Sequence, residues 1–446
     1  MKRINSHFAK FVGHTVPNSP MTWDTMLLAI SVALLPLFHL TVKNWTEAWL
    51  VILALVSGYG IWKSGVKFST FFPDRATLWI FASLTFPIVA VFLSILIRGD
   101  LKWALRDQNL DLLNGPSRLF LAGVAFLWMN YKKVNFVNCF QIISSIGIII
   151  TVFFATTQQP GVPDRYTTSL IDLDSFSQQI CLLGLVQFLF LLFRPSTSRL
   201  VSALTIVSIF LAAKMGITSG GRGGWIAVPP ILIFAAFCYK GKKSKLLALI
   251  FFILLTLGAL LATNKVFYDR LISIYSESKD WISGGSGGSG GHRIGMWAIS
   301  WELIKQNPIK GYGSKQNLWG PVYQMDPSLY LRKGISYEDE ERSRYSLCHT
   351  GEHSEYFHEF VANGIFGFSA KILLLLVPLI VFITRLKNTH RHCYATNVIG
   401  IGFVAAFMIF GITQGPFGYK FISSFYGFVI GGLAIRPLEA QSPSKP

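Results

Sequence analysis

Glu352-His353-Ser354-Glu355-Tyr356 ends a hydrophilic stretch of roughly a hundred residues, and from Gly364 the chain turns apolar again as far as Arg385. An apolar run of that length, rising about 1.5 Å per residue in a helix, matches the hydrocarbon core of a bilayer. The same pattern extends outward in both directions. Before Lys265 and after Gly364, long apolar runs alternate with short, mostly basic connectors. Runs at 25–41, 45–62, 76–97, 116–131, 135–156, 175–193, 199–215, 221–239, 246–263, 364–385, 395–414 and 418–435 predict about twelve transmembrane helices. The expected fold is an all-α polytopic membrane protein in three parts. Residues 1–263 hold transmembrane helices one to nine, 264–363 form one large outer loop with short surface helices, and 364–446 hold helices ten to twelve and a tail.

Composition agrees with this division. Of 446 residues, 52% are hydrophobic and 14% charged, with a mean hydropathy of +0.47. Soluble domains carry about 25% charged residues. The net charge of +18 is placed for topology rather than for nucleic acid. Lys63, Lys67 and Arg75 follow the second run, Lys132 and Lys133 the fourth, and Arg194 and Arg199 the sixth. Lys240, Lys242, Lys243 and Lys245 follow the eighth, and Arg385, Lys387 and Arg391 the tenth. Every second connector is basic, so the positive-inside rule puts both termini in the cytoplasm and the large loop on the other side. The first apolar run lacks a small-residue cleavage site, so no signal peptide is expected. Cys348 is the one cysteine in the large loop, which excludes a disulfide framework there.

Within the loop, Met296, Trp297, Ile299, Ser300, Leu303 and Ile304 recur at near-helical spacing, which predicts an amphipathic helix over 295–305 lying on the membrane surface. Asn307-Pro308 should stop it, and Gly311-Tyr312-Gly313 reads as a turn. The run Glu338 to Glu341 beside Arg342 and Arg344 reads as a solvated face. Residues 283–291, three Ser-Gly-Gly repeats, have the composition of a flexible linker, native or introduced.

Three ionisable positions carry chemistry. Arg222, in Ser219-Gly220-Gly221-Arg222-Gly223-Gly224, stands at the outer mouth of the eighth run, where glycines let a ligand or another chain approach the backbone. Arg293 opens the expected surface helix, and its guanidinium fork suits phosphate, with helix-terminal amides adding to an anion site. His353 supplies an imidazole able to take a proton from a hydroxyl, an effect of about 10²–10⁴-fold when positioned. Cys348, His349, His353 and His358 match no established zinc signature, and no phosphate-cradling G-x-x-x-x-G-K-[ST] loop is present. Neither a metal nor a cofactor is expected.

Taken in order, these motifs resemble the O-antigen ligase family of Gram-negative bacteria, whose superfamily includes O-antigen polymerases and O-linked oligosaccharyltransferases. Arg222 with its glycines carries the first motif. Arg293-Ile-Gly-Met-Trp leading to Asn307-Pro308-Ile309-Lys310-Gly311-Tyr312-Gly313 carries the second. The third is His353-Ser354-x-Tyr356 leading to Asn363-Gly364-Ile365-Phe366-Gly367. A looser match covers Pro163-Asp164-Arg165-Tyr166 through Asp172-Leu173-Asp174-Ser175, while Gly221 stands where the family more usually has serine.

The resemblance implies transfer of a glycan from undecaprenyl pyrophosphate to lipid A–core oligosaccharide, on the periplasmic face of the inner membrane. Arg222 and Arg293 would bind the pyrophosphate, with Arg165 and Tyr356 as further substrate contacts, and His353 would act as base. Glu352, Glu355 and Tyr356 are all candidates to orient its imidazole. Membrane lipids are expected partners and nucleic acid is not. A polymerase extending the lipid-linked glycan fits the same motifs, and a lipid or polysaccharide transporter is a more distant alternative.

Overall fold

The computed structural model describes residues 23–99, 111–157, 167–168, 171–196, 198–241, 265–283, 288–329, 337–387 and 391–435. Among these the secondary structure is helical throughout, with no strand. By length and composition, eight helices suffice to cross a membrane. They are Trp45–Lys63, Arg75–Arg98, Leu112–Tyr131, Phe136–Thr157, Leu173–Phe193, Arg199–Thr218, Glu355–Leu386 and Cys393–Thr413. The chain is a multi-pass membrane protein.

Three further expected spans are present as shorter helices. The first run forms Trp23–Leu34, which ends ahead of Pro36. The last forms Lys420–Ala434. The run at 221–239 divides into Arg222–Trp225 and Val228–Cys238. Pro229 and Pro230 occupy the first turn of the second piece, where their missing N–H groups cost nothing. The expected span at 246–263, like both termini, lies outside the described residues.

Glu355–Leu386 organises the site. It packs along Arg75–Arg98 on one side and Arg391–Thr413 on another. The helix is not continuous: Gly364 adopts φ 59°, ψ −155°. A Cβ at Gly364 would overlap the Ile309 carbonyl, so only glycine fits. Breaking a helix orphans carbonyls, which in an apolar setting must find partners. The Asn307–Gly313 turn supplies them: Tyr312 N–H donates to Val361 O and Gly313 N–H to Ala362 O, both at 2.8 Å, while Ile365 N–H donates to Pro308 O at 2.9 Å. From the neighbouring helix, Ser94 Oγ donates to Asn363 O at 2.7 Å, and Arg98 Nη1 to Lys310 O and Ala362 O at 2.8 and 3.0 Å. The two glycine-containing motifs of the second half are thus one joint.

The polar region has its own core. Met296, Ile299, Leu303 and Ile304 bury their side chains against Leu318, Val322, Leu347 and Val361. The amphipathic helix therefore turns its apolar face into protein, not along the membrane as expected. It ends at Gln306, before Asn307-Pro308, but starts at Gly288, so Arg293 sits in its second turn and not at its amino terminus. Glu277 explains why Gly-Ser sequence is helical here. Its carboxylate accepts hydrogen bonds from the Gly290 amide and from Ser289 Oγ, capping the helix from outside. Part of the acidic run departs from expectation: Arg342 is exposed, but Glu340 and Arg344 pair at 2.7 Å, both buried, and Arg344 Nη2 donates to Met325 O.

Candidate functional site

Residues 352–355 are held from three directions before the Glu355–Leu386 helix begins. Trp297 Nε1 donates to Glu352 O at 2.9 Å, its ring stacked on Phe357. Ser354 Oγ donates to Gly411 O, and Glu355 N–H to Gln414 O. Between these ties His353 takes a left-handed backbone with φ 47°, a conformation costing a non-glycine residue about 1 kcal/mol or more.

Its imidazole is oriented by Gln414, 61 residues away at the end of the Arg391–Thr413 helix. His353 Nδ1 lies 2.8 Å from Gln414 Oε1, and Gln414 Nε2 donates to Tyr419 OH at 3.4 Å. An amide oxygen can only accept, so in the neutral imidazole it is Nδ1 that carries the proton and Nε2 that keeps its lone pair. Of the expected orienting groups, Glu352 bonds His358 at 2.8 Å and Glu355 bonds Lys371, while Tyr356 OH donates to Met408 O at 2.8 Å. Tyr356, expected to touch substrate, lines neither cavity described below and joins two apolar helices instead.

Both expected arginines are part-buried and face carboxylates. Arg222 grips Glu277 with two nitrogens, at 2.9 and 3.2 Å, and also donates to Ser289 Oγ at 3.1 Å. The glycines around Arg222 serve close packing: Cβ atoms at Gly221 and Gly224 would approach Ser177 to 2.5 and 2.6 Å. Arg293 Nη2 lies 3.2 Å from Asp174 Oδ2, so the stretch after Arg165 does reach the site. Arg165 itself lies outside the described residues.

Two cavities meet here. One, of about 310 Å³, is lined by Arg293, Arg342, His292, Ser289, Ser343 and His353 among others. The second, of about 660 Å³, runs past Asn114, Lys315, Trp319, Glu359, Asn363 and Gln414, again with His353 on its wall. Among the described residues, His353 is the one common to both. The first cavity thus joins Arg293 to His353 directly, and Arg222 through Ser289.

Below this lies a buried ionic cluster that the sequence reading passed over. Lys371, 1% exposed, sits 2.9 Å from Glu355 and 3.1 Å from Glu359, and Asn363 Nδ2 donates to Glu359 Oε2. The Phe417 amide donates to the second Glu355 oxygen at 3.0 Å. An ionisable residue inside an apolar run marks such a site, and Lys371 in 364–385 was that mark. Gln414 carries no comparable sign.

At the site, outside the apolar helices, the carboxyls of Glu352 and Glu277 are held below their ordinary range. Burial opposes ionisation of Glu352, but the bonded His358 and nearby Lys315 outweigh it. At Glu277 the same opposition is overcome by Arg222 and by the Gly290 amide. Burial, with Glu352 nearby, pushes the Cys348 thiol up to about 11, and among the described residues no three His, Cys, Asp or Glu side chains group as metal ligands.

Known proteins are similar to this chain in sequence. The chain is 25% identical over 411 residues to an uncharacterised protein of Haemophilus influenzae, spanning 88% of this chain and 94% of that one. It is 23% identical over 366 residues to a protein of Salmonella typhimurium named O-antigen ligase, spanning 79% of this chain and 81% of that one. Residues 207–372 match the family described as O-antigen ligase, a range that takes in Arg222, Arg293, His353 and Lys371. As the order of its motifs implied, residues 207–372 of this chain are similar to the O-antigen ligase family.

Proposed function

We propose that the protein transfers a glycan from undecaprenyl pyrophosphate to a sugar hydroxyl of lipid A–core on the periplasmic face of the inner membrane. The observation that carries this reading is the 310 Å³ cavity, where a guanidinium and an imidazole with a free Nε2 share one wall. The acceptor hydroxyl oxygen attacks the anomeric carbon and its proton passes to His353 Nε2. The bond from that carbon to the pyrophosphate oxygen breaks, its electron pair leaving with the pyrophosphate. Attack opposite the leaving group inverts the anomeric centre.

Charge then grows on phosphate oxygens, the ligand for which a guanidinium fork is suited. Arg293 and Arg222 would take it up in place of a divalent metal, each contact contributing about 1.5–3 kcal/mol. Asp174 and Glu277 hold the two arginines until then, as carboxylates standing where phosphate oxygens would bind. The basic connectors support a cytoplasmic location for both termini and an outer location for this site.

The test is transfer in vitro with purified protein, undecaprenyl-pyrophosphate-linked glycan and lipid A–core, comparing wild type with His353→Ala. Product on lipid A–core that is lost in a folded variant is expected. Lengthening of the undecaprenyl-linked glycan in its place would make the protein a polymerase.

A further inference from the structure

We propose that the 660 Å³ cavity is the acceptor-sugar subsite, with Trp319 and His349 as its stacking platform. This rests on the glycosyl-transfer reading above. The two cavities differ in chemistry although they share His353. The smaller one presents Arg293 and Arg342, with Arg222 behind Ser289, and suits a pyrophosphate. The larger one falls within the ~300–1,000 Å³ typical of small-ligand pockets. Its cationic and anionic groups are already engaged with one another or with the backbone. Glu352 is bonded to His358, Glu359 to Lys371 and Asn363, and Lys315 Nζ to Thr350 O. A neutral, hydroxyl-rich ligand fits such a wall better than a second phosphate.

Sugar rings are held by aromatic faces against their C–H groups and by hydrogen bonds to their hydroxyls, and both are present. Trp319 is 37% exposed and lies parallel to Tyr323 at 5.5 Å, with His349 edge-on at 4.9 Å and Tyr345 stacked on His349 at 3.7 Å. These rings belong to neither apolar core, yet Trp319 and His349 stand on the cavity wall. Exposed aromatic residues clustered in a polar region are a recognition surface more often than packing.

The hydrogen-bonding half rests on a separate observation. Asn363 Oδ1 and Ser314 Oγ are buried on the same wall without a protein partner. Buried polar atoms left unpaired cost stability unless something pairs with them, and ligand hydroxyls would do so. Asn363 is 2% exposed and pinned to Glu359, which sets the direction of its oxygen. An acceptor seated between Asn363 and Trp319 would bring its hydroxyl to His353 from the larger cavity while the pyrophosphate occupies the smaller one, so that the two substrates meet at the imidazole.

Steady-state transfer by the full chain in detergent decides this, with donor and acceptor KM measured separately for Trp319→Ala, Trp319→Phe and His349→Ala. The expected result is an acceptor KM raised about tenfold in Trp319→Ala and restored in Trp319→Phe, with donor KM and kcat within twofold of wild type. His349→Ala should show a smaller rise of the same kind. Unchanged acceptor KM in both alanine variants, or a rise in donor KM instead, overturns the subsite while leaving ligase activity intact. Product identity tests the underlying reading independently. If the glycan is added to a second lipid-linked glycan, the ligase assignment fails, and the KM for that acceptor still decides the subsite. Absence of transfer to either acceptor overturns both.

Discussion

Gln414 is the residue whose role the geometry defines most sharply. Replacing it by leucine removes the acceptor that holds His353 Nδ1–H at 2.8 Å. A neutral hydrogen bond of this kind contributes about 0.5–1.5 kcal/mol net, and it biases the imidazole toward the tautomer with Nε2 free by the same amount. With 1.4 kcal/mol corresponding to about tenfold in rate, Gln414→Leu should lower kcat about two- to tenfold, less than the ~10²–10⁴-fold loss expected for His353→Ala. Gln414→Glu should act differently. A carboxylate at that distance favours the imidazolium, so the acid limb of kcat/KM moves to higher pH, a displacement that a merely structural role would not produce. The assay is the pH dependence of glycan transfer by wild type and the two Gln414 variants. Wild-type kcat in Gln414→Leu, with an unmoved acid limb in Gln414→Glu and an inactive His353→Ala, would refute orientation through Nδ1.

The ionic cluster and the arginine clasps make further predictions. Lys371→Met leaves Glu355 and Glu359 buried and uncompensated, at a cost of about 3–5 kcal/mol. The apparent melting midpoint in detergent should fall by several degrees and largely recover when both glutamates become glutamine. Gly364→Ala forces a Cβ onto the Ile309 carbonyl at φ 59°, costing upward of about 1 kcal/mol, and limited proteolysis of the polar region should accelerate. Glu277→Gln frees Arg222 from a part-exposed pair contributing about 0.2–1 kcal/mol, so donor KM should drop up to about fivefold. Because the Glu277 carboxyl is depressed when folded, its stabilisation is complete above the ordinary 4.5 and is lost as pH falls through the lower folded value. Wild-type thermal stability should decline below that pH with a smaller slope in Glu277→Gln. Activity should persist in EDTA, and loss restored by magnesium would refute charge uptake by Arg222 and Arg293.

Several motifs legible in the sequence changed meaning once packed. The Gly311-Tyr312-Gly313 and Asn363-Gly364 motifs marked the second half of the chain, but their shared purpose, closing a helix break, needs both at once. The glycines beside Arg222 read as room for a ligand or for another chain, and at Gly221 and Gly224 it is Ser177 that comes close. The acidic run read as solvated, yet Glu340 and Arg344 are buried together, because a pair one helical turn apart can neutralise itself and then be covered.

By itself the sequence determined that the chain is helical and membrane-spanning, because length and hydropathy of a run are local properties against which the bilayer acts as solvent. It also singled out Arg222, Arg293 and His353, whose chemistry is unusual beside so much apolar surface. Only the tertiary structure decided what those groups face. Glu277 lies 55 residues from Arg222, Asp174 lies 119 from Arg293, and Gln414 lies 61 from His353. Partners so far apart are chosen by which helices pack together and how far each is turned about its axis, and small backbone contacts such as those at Gly364 set that turn.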